Sequence, residues 1–300
     1  AGAAAAGRVL SEEEEILLLQ RLHGVLRPFL LRRTKELVLR DLPPKREVVI
    51  WVPLSAWQSR IYKRCLAARD SEDHMRTMRR CQKALNHPYH FLAGSDLGED
   101  FEAENLVRAS GKFELLERIL PRLWHFGHRV LLFAQTLGTL DLLERLLRKL
   151  GQDFERIDGK RGLRARREAT SRFRADAGIG AFLLTTRAGG QGLNLQSADT
   201  VVLMDSDWNP QADVQAMDRA HRIGQTKPVL IIRLLTPTAV DRGLLDRASR
   251  KLDIERKVIS AGRFLGEQDA AADEGGRQRS RESDLRRLVR EARRGGGGGG

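Results

Sequence analysis

Short apolar runs alternate with longer mixed patterns of charged and apolar residues over the second half of the chain. Continuous apolar runs predict buried strands, and apolar residues three or four positions apart predict helices. The predicted strands are 130–134, 154–157, 181–185, 200–204 and 229–235. The predicted helices are about 139–150, 163–174, 211–223 and 239–252. This alternation is typical of βαβ units, so we expect an α/β fold with a parallel sheet and helices on both faces.

The first third of the chain follows mostly helical patterns. Pro43 and Pro44 interrupt them, and after these prolines we expect a strand at 47–52, helix from about 55 to 85 and a loop at 93–110. Both ends of the chain are low in complexity, which is typical of disorder. The expected parts are a disordered start (1–10), a mostly helical segment (11–110), the α/β domain (111–262), and a basic tail, helical or disordered, with a poly-glycine end (263–300).

The composition excludes several classes of protein. Hydrophobic residues make up 41% and charged residues 31% of the chain, which is typical of a globular domain rather than of wholesale disorder. The longest apolar runs are far shorter than the roughly 18 residues of a membrane span, and we expect no signal peptide and no membrane partner. Cys65 and Cys81 have no companions at metal-binding spacing, so we expect two thiols in a reducing compartment and no metal site.

The net charge of +13 is concentrated in the α/β part of the chain. One stretch of that part is especially basic and has few acidic neighbours, among them Asp158 and Glu168. Such an excess favours a surface that faces a polyanion, and the alternative is a solvated helix face. Its basic residues are Arg156, Lys160, Arg161, Arg164, Arg166, Arg167, Arg172 and Arg174.

A glycine-rich loop follows the predicted strand 181–185, at the edge of the sheet where ligands of parallel sheets bind. Gly189, Gly190 and Gly192 would leave backbone N–H groups accessible, and the preceding hydroxyls and Arg187 suit phosphate. The alternative is a tight turn without a ligand. The loop contains no G-x-G-x-x-G fingerprint, and the chain contains no G-x-x-x-x-G-K-[ST] sequence.

The predicted helix 211–223 carries a more specific pattern. Asn209 suits the N-cap, Pro210 the first helical position, and Gly224 the left-handed residue after the helix. Three polar residues of this helix, at positions i, i+4 and i+7, would share one face that suits a transferring phosphoryl group. They are Gln215, Arg219 and Arg222, and the alternative is surface ion pairs with Asp213 and Asp218.

The residues just before this helix also leave alternatives open. Asp205 and Asp207 would orient the loop or form an acid/base pair. Trp208 would pack in the core or stack on a nucleic acid.

Taken in order, these segments resemble the second RecA-like lobe of superfamily-two, Swi/Snf-type DNA translocases, and most of all the Brahma-type catalytic subunit of SWI/SNF chromatin remodellers. The resemblance extends over about residues 11–264. Residues 22–33 resemble the end of the first lobe and the protrusion that follows it, so the segment 11–110 would be the end of that lobe and a helical protrusion. Residues 107–121 resemble the start of the second lobe. The motifs that carry the resemblance are Arg129-Val-Leu-Leu-Phe-Ala-Gln135, Arg156-Ile-Asp-Gly159, Thr185-Thr-Arg-Ala-Gly-Gly-Gln-Gly-Leu-Asn194, Asp205-Ser-Asp-Trp-Asn-Pro210 and Asp218-Arg-Ala-His-Arg-Ile-Gly-Gln225.

The resemblance implies a nuclear motor that uses ATP with Mg²⁺ to move along double-stranded DNA and to remodel nucleosomes. Its expected partners are DNA, histones, a first RecA-like lobe and the other subunits of a multi-subunit complex. It further implies that Arg219 and Arg222 are arginine fingers and that Gly192 and Gln215 lie near the nucleotide. The implied DNA contacts are Gln135, Asp158, Gly159, Lys160, Thr185, Thr186 and Arg187, with Trp208 coupling DNA to ATP.

The chain departs from this family pattern at several positions. Gln191 replaces a usual leucine, and Lys160-Arg161 replace small hydroxyl residues. The two added charges of Lys160 and Arg161 predict more nonspecific, salt-sensitive DNA binding. The phosphate-binding lysine and magnesium-binding acidic motif of a first lobe are missing from these 300 residues, so we expect the chain alone to hydrolyse ATP negligibly, with Mg²⁺ held mainly by the first lobe. Two alternatives are a non-catalytic DNA-binding or scaffold remnant of the fold and a superfamily-two enzyme that acts on RNA.

Overall fold

The computed structural model describes residues 42–67, 74–92, 105–159, 161–189 and 193–267, with side chains to residue 253. The fold below is mostly that of the compact unit that ends at Lys251, and the last helix continues past that residue. Its strands are β1 (Lys45–Trp51), β2 (Val130–Ala134), β3 (Phe154–Ile157), β4 (Ala181–Thr185), β5 (Thr200–Leu203) and β6 (Val229–Leu235). Its helices are α1 (Ala56–Ala67), α2 (His74–Asn86), α3 (Gly111–His125), α4 (Leu137–Lys149), α5 (Leu163–Ala175), α6 (Thr186–Gly189), α7 (Pro210–Met217) and α8 (Ala239–Glu267), with a 3-10 helix at Pro88–Phe91.

The six strands form one sheet in the order β1-β6-β5-β2-β4-β3, and every neighbouring pair is parallel. The central strand β2 pairs with both β4 and β5, so Val130 lies opposite Ala181 on one side and Thr200 on the other. Every residue of β2, β4 and β5 is buried, which explains their near-continuous apolar sequences. The predicted α/β fold with a parallel sheet is therefore confirmed.

Alternate residues of β2 pack into two separate cores because successive side chains of a strand point to opposite faces. Leu132 packs with residues of α3 and α4, such as Leu116 and Leu143. Phe133 packs on the other face with Phe173 of α5. Helices therefore cover both faces of the sheet, as predicted.

The sheet begins earlier in the sequence than the expected start of the α/β domain at residue 111. β1 adds to β6 as an edge strand in parallel register, with Lys45 opposite Val229 and Trp51 opposite Leu235. Trp51 is 45% exposed, as suits an edge position. The expected boundary at residue 110 is thus wrong for the sheet, because backbone pairing with β6 brings a distant segment into it.

The described residues from 55 to 85 form two helices, α1 and α2, rather than the single helical stretch predicted. The two helices pack on α8 through a third apolar cluster that contains Cys65, Cys81 and Leu85 from the pair and Leu244 from α8. Both cysteines are buried free thiols, and burial raises the pKa of Cys81 to about 11.

α8 extends well beyond its predicted end at 252. Among the described residues, no helix combines the length and the apolar character that a membrane span requires. The expectations for residues 1–10, for the tail beyond 267 and for the loop at 93–104 lie outside the described residues.

Candidate nucleic-acid interface

A cleft of about 450 Å³ lies where β2, β4 and β5 end, between the loops that follow these strands and the helix α2. In an open parallel sheet, this carboxyl edge is where ligands bind. The residues that line the cleft are Met75, Arg79, Gln82, Lys83 and Asn86 of α2, Gln135 and Thr136 after β2, Thr186 and Arg187 after β4, and Asp205, Asp207 and Trp208 after β5.

A buried polar network forms the base of the cleft. Lys112 of α3 is 1% exposed, and its Nζ donates to Asn86 Oδ1 at 3.1 Å and to the Met204 carbonyl at 2.5 Å. Asn86 Nδ2 donates in turn to Asp205 Oδ2 at 2.7 Å. Burial lowers the pKa of Lys112 and raises that of Asp205 to about 6, while the attraction between their charges opposes both shifts.

This network fixes the two loops that carry the predicted contacts. The other oxygen of Asp205 accepts the backbone N–H of Gln135 at 3.0 Å, and Gln135 Nε2 donates to the Ser206 carbonyl at 2.6 Å. The loops after β2 and β5 are therefore tied together by three residues. Because both oxygens of Asp205 accept internal bonds, the structure supports the loop-orienting alternative for this residue.

A buried ion pair between Arg233 and Asp213 fixes the loop after β5. Arg233 of β6 donates to Asp213 Oδ2 at 2.6 Å and to Ser206 Oγ at 2.8 Å. Asp213 also accepts the backbone N–H of Asp207 at 3.2 Å. Asp213 is therefore committed to Arg233, and the predicted alternative of an ion pair between Asp213 and the helix arginines is wrong.

Asp207 and Trp208 lie at the upper end of this loop. Asp207 Oδ1 accepts the backbone N–H of Asn209 at 2.9 Å, which orients the turn before α7. The indole of Trp208 is half-buried against the α1–α2–α8 cluster, and its Nε1 donates to Gln82 at 3.3 Å. Trp208 therefore packs on the apolar cluster, as in the first alternative, and also lines the cleft.

Four of the predicted DNA contacts line this one cleft, namely Gln135, Thr186, Arg187 and Trp208. Thr186 lines it although only 3% of this residue is exposed. Thr185 does not line it; it is the last residue of β4, and its hydroxyl accepts the backbone N–H of Ala188 at 3.3 Å. Thr185 therefore caps the short helix that presents its two neighbours.

Asp158 and Gly159 lie outside the cleft, in the segment that follows β3, the outermost strand on the β4 side of the sheet. Asp158 is buried and forms an ion pair with Arg156 at 3.3 Å, and Arg156 also binds Asp141 and Glu144. Gly159 lies in an exposed turn, and Lys160 lies outside the described residues. A direct phosphate contact by the Asp158 carboxylate does not fit this arrangement.

Much of the basic stretch 156–174 is neutralised within the domain. Arg172 binds Glu155 at 2.5 Å, Arg164 binds Glu168 at 2.9 Å, and the buried Arg166 donates to backbone carbonyls. Three further exposed arginines of the stretch, Arg161, Arg167 and Arg174, form no ion pair with a described residue. The surface available to a polyanion here is therefore smaller than the sequence predicts.

The arginines of the predicted helix 211–223 lie in a turn, because α7 ends at Met217. The expected shared helical face of Gln215, Arg219 and Arg222 is therefore wrong. Asn209 and Pro210 begin the helix as predicted, with the Asn209 side chain accepting the Gln211 N–H at 3.4 Å.

The turn that carries the arginines is anchored from both sides. Buried Gln225 donates to the carbonyls of Ala198 at 2.8 Å and Ala220 at 3.1 Å, and His221 Nε2 donates to the Pro43 carbonyl at 2.8 Å. Gly224 has the left-handed φ of 95° that its sequence position predicts. Arg219 is half-buried and Arg222 exposed, and burial and the charge of Arg222 lower the pKa of Arg219.

Comparison with known proteins identifies two domains. The helicase conserved C-terminal domain matches residues 111–224, and the SNF2-related domain matches residues 6–93. The chain contains an SNF2-related domain and a helicase conserved C-terminal domain.

Individual SNF2-related proteins are similar to most of this chain. Nuclear protein STH1/NPS1 of Saccharomyces cerevisiae is 43% identical over 93% of the chain, and the chromatin structure-remodeling complex subunit snf21 of Schizosaccharomyces pombe is 45% identical over 85%. The chain spans 22% of the length of each of these relatives. The SWI2/SNF2 ATPase core of Sulfolobus solfataricus in complex with dsDNA matches with a TM-score of 0.59 and 25% identity, over 81% of this chain and 52% of that one.

Several residues of the cleft were not predicted from the sequence. Lys112 and Asn86 at its base were not predicted, although Lys112 stands in an apolar helical pattern with Phe113 and Leu116, where an isolated charge signals a buried partner. Arg79 and Lys83 on its rim were also missed. Their signal was present in α2, which contains no acidic residue.

Proposed function

We propose that this chain supplies the second RecA-like lobe of an ATP-dependent, double-stranded-DNA translocase that remodels nucleosomes in the nucleus. The observation that carries the proposal is the cleft, where four predicted DNA contacts from three separate loops converge beside cationic residues of α2. The named relatives add support, since one is a nuclear protein and one a subunit of a chromatin-remodelling complex. Histones, partner subunits and a first lobe are the partners that this function requires.

The chemistry of the cleft suits the backbone of a nucleic acid. The exposed Arg187 offers a planar fork of N–H donors, and Gln135 and Thr186 offer shorter polar groups at fixed positions. Most hydrogen bonds from proteins to DNA go to phosphates and sugars, and such contacts do not depend on sequence. A motor that moves along any DNA sequence needs this kind of contact.

ATP with Mg²⁺ is the cofactor that the family implies. The anchored turn supplies two guanidinium groups, Arg219 and Arg222, whose chemistry fits the negative charge of a triphosphate. Gln215 is exposed on the preceding α7, and Gly192 lies outside the described residues. Among the described residues, no group of three or more His, Cys, Asp or Glu side chains is placed to hold a metal ion. On the chemistry of the two guanidinium groups, we assign to this chain the cationic side of the nucleotide site.

DNA binding tests the assignment of the cleft. Fluorescence anisotropy with a labelled duplex should show binding by the 300-residue chain that weakens with added salt. Arg187→Gln should weaken this binding, whereas Arg174→Gln, an equal charge change at an exposed position outside the cleft, should have a smaller effect. Equal effects of the two substitutions would contradict the cleft as the DNA site.

Hydrolysis tests the assignment of the turn. In an enzyme with both lobes, Arg219→Ala or Arg222→Ala should lower DNA-stimulated turnover by about 10³-fold or more and leave DNA affinity nearly unchanged. The chain alone should hydrolyse ATP negligibly. Weakened DNA binding with preserved turnover would move both arginines to the DNA site, and strong hydrolysis by the chain alone would contradict the need for another lobe.

A further inference from the structure

Helices α1 and α2 carry seven basic residues and no acidic residue. Average soluble domains mix charges of both signs, so two neighbouring helices of a single sign are unusual. Of these seven residues, Arg79 and Lys83 are exposed, line the cleft and form no ion pair with any described residue. The basic residues of the two helices are Arg60, Lys63, Arg64, Arg76, Arg79, Arg80 and Lys83.

The two faces of α2 have different environments. Met78, Cys81 and Leu85 pack into the apolar cluster with α1 and α8. Residues 75, 79, 82 and 86, which follow the spacing of one helical face, line the cleft together with the adjacent Lys83. Because the opposite face of α2 packs in the apolar cluster, Arg79 and Lys83 face the cleft.

Two side-chain hydrogen bonds fix α2 against the loop after β5. Gln82 accepts the indole N–H of Trp208 at 3.3 Å, and Asn86 donates to Asp205 at 2.7 Å. Gln82 lies within one helical turn of both Arg79 and Lys83, and Asn86 lies within one turn of Lys83. The cationic groups are thus held by a buried scaffold opposite the loop of Thr186 and Arg187.

The carboxylates of the cleft have other partners. Asp205 accepts internal hydrogen bonds with both oxygens, and the charge of the buried Lys112 lies close to it. One oxygen of Asp207 accepts the backbone N–H of Asn209. With Arg79, Lys83 and Arg187 around the opening, the cleft presents a cationic rim on two sides.

We propose that Arg79 and Lys83 of α2 bind backbone phosphates of the same DNA strand that Thr186 and Arg187 contact. The strand would then be held from both sides of the cleft, by the loop after β4 and by α2. This inference rests on the proposed function and adds α2 to the DNA-binding site. An acidic protein segment is the competing ligand, but the hydroxyl and amide donors beside these cations fit a phosphate backbone.

The experiment compares two double variants of the full chain in a salt titration of duplex binding. Arg79→Gln/Lys83→Gln removes two charges from the cleft, and Arg60→Gln/Lys63→Gln removes two exposed charges of α1 that do not line it. Loss of two phosphate contacts should reduce the slope of log K against log salt by about 1.8. The α1 variant should change the slope by less than half as much. Urea unfolding should show wild-type stability for both variants, because all four side chains are exposed.

The outcomes separate this inference from the proposed function. If wild type does not bind the duplex, both fail. If Arg187→Gln weakens binding but the two double variants have equal slopes, only the role of α2 is overturned. A parallel titration with a poly-glutamate peptide identifies the competing ligand: loss of peptide binding with unchanged DNA binding in the α2 variant would overturn the inference in favour of an acidic protein.

Discussion

Two histidines beside the cleft are held neutral by burial. His87 Nδ1 accepts the backbone N–H of Tyr89 at 3.1 Å, so its proton is on Nε2, which donates to the Leu106 carbonyl at 2.8 Å. Burial lowers the pKa of His87 to about 3 and that of His90 to about 4. A second proton on His87 would be placed on Nδ1, where it would face the N–H of Tyr89, so protonation would break this buried hydrogen bond.

Acid should therefore destabilise the domain through these histidines. Below a pKa of about 6.5 the unfolded chain binds protons that the folded chain excludes, so stability falls from that pH down to about pH 3 for His87. Each such histidine contributes about 1.4 kcal/mol per pH unit within its window. The raised pKa of Asp205 acts in the opposite direction between about pH 4 and 6.

Urea unfolding at pH 5 and pH 7.5 measures this effect. His87→Gln keeps an acceptor and a donor but removes the titration, so its stability should depend less on pH than that of wild type. His125→Gln, at an exposed position, is the control and should leave the pH dependence unchanged. If the stability of His87→Gln depends on pH as strongly as that of wild type, another titrating group causes the loss of stability in acid.

The buried network under the cleft gives a second prediction at the residue scale. Lys112→Met would leave the buried Asp205 without the cation to which Asn86 links it, and removing one partner of a buried charge pair costs up to about 3–5 kcal/mol. Adding Asp205→Asn should restore part of this loss, because the double variant no longer contains the Asp205 carboxylate. Thermal or urea unfolding of the two single variants and the double variant measures the coupling. Additive losses would contradict an interaction between Lys112 and Asp205.

At the scale of elements, β1 tests how far the sheet extends. The backbone N–H of Val52 donates to Leu235, and that of Val229 donates to Pro44, so alternate residues of β1 direct their N–H groups toward β6. This alternation gives Val48 a ladder hydrogen bond and leaves the N–H of Val49 at the open edge. The register places Val48 opposite Ile232.

Proline at these two positions should therefore have different effects. Val48→Pro should destabilise the domain by about 1–3 kcal/mol more than Val49→Pro, because only the former removes a ladder bond and leaves a carbonyl of β6 without its donor. Urea unfolding of both variants measures the difference. Equal stabilities would show that β1 does not depend on this ladder.

The strands and helices of the sheet could be predicted because local hydrophobic patterns encode them. β2, β3, β4 and β6 begin and end at the predicted residues. The end of α7 could not be predicted in this way, since the apolar pattern continues to Ala220, which is buried although the helix ends at Met217. Past that point the backbone forms tighter bonds, from the N–H of Arg219 to Ala216 and from the N–H of Ala220 to Met217, and the side chain of Gln225 binds three carbonyls.

The site was predictable in part for a similar reason. Loops that follow strands of one parallel sheet meet at one edge, so Gln135, Thr186 and Trp208 could be placed together from their sequence positions. Asn86 and Asp205 are 119 positions apart and are joined only by tertiary packing. The ion pair of Glu47 and Arg233 is likewise invisible in a local pattern.

At the scale of the whole molecule, the positions of the unpaired basic residues matter more for polyanion binding than the net charge does. The net charge of +13 includes arginines such as Arg156, Arg172 and Arg233, whose charges are balanced within the domain. The cations around the cleft lack such partners among the described residues, and the nearest carboxylates are engaged by internal hydrogen bonds. Binding of a polyanion should therefore depend on a few residues rather than on the overall excess.

Binding of a nucleic acid to the cleft should stabilise the folded chain. A ligand at 100 times its Kd stabilises the folded state by about 2.7 kcal/mol, provided that it binds only that state. Duplex DNA should therefore raise the urea midpoint of wild type, and the rise should shrink in Arg187→Gln and at high salt. An RNA duplex at equal concentration should give a smaller rise, because its A-form grooves and 2′-hydroxyls present a different backbone geometry. An equal or larger rise with RNA would favour a superfamily-two protein that acts on RNA.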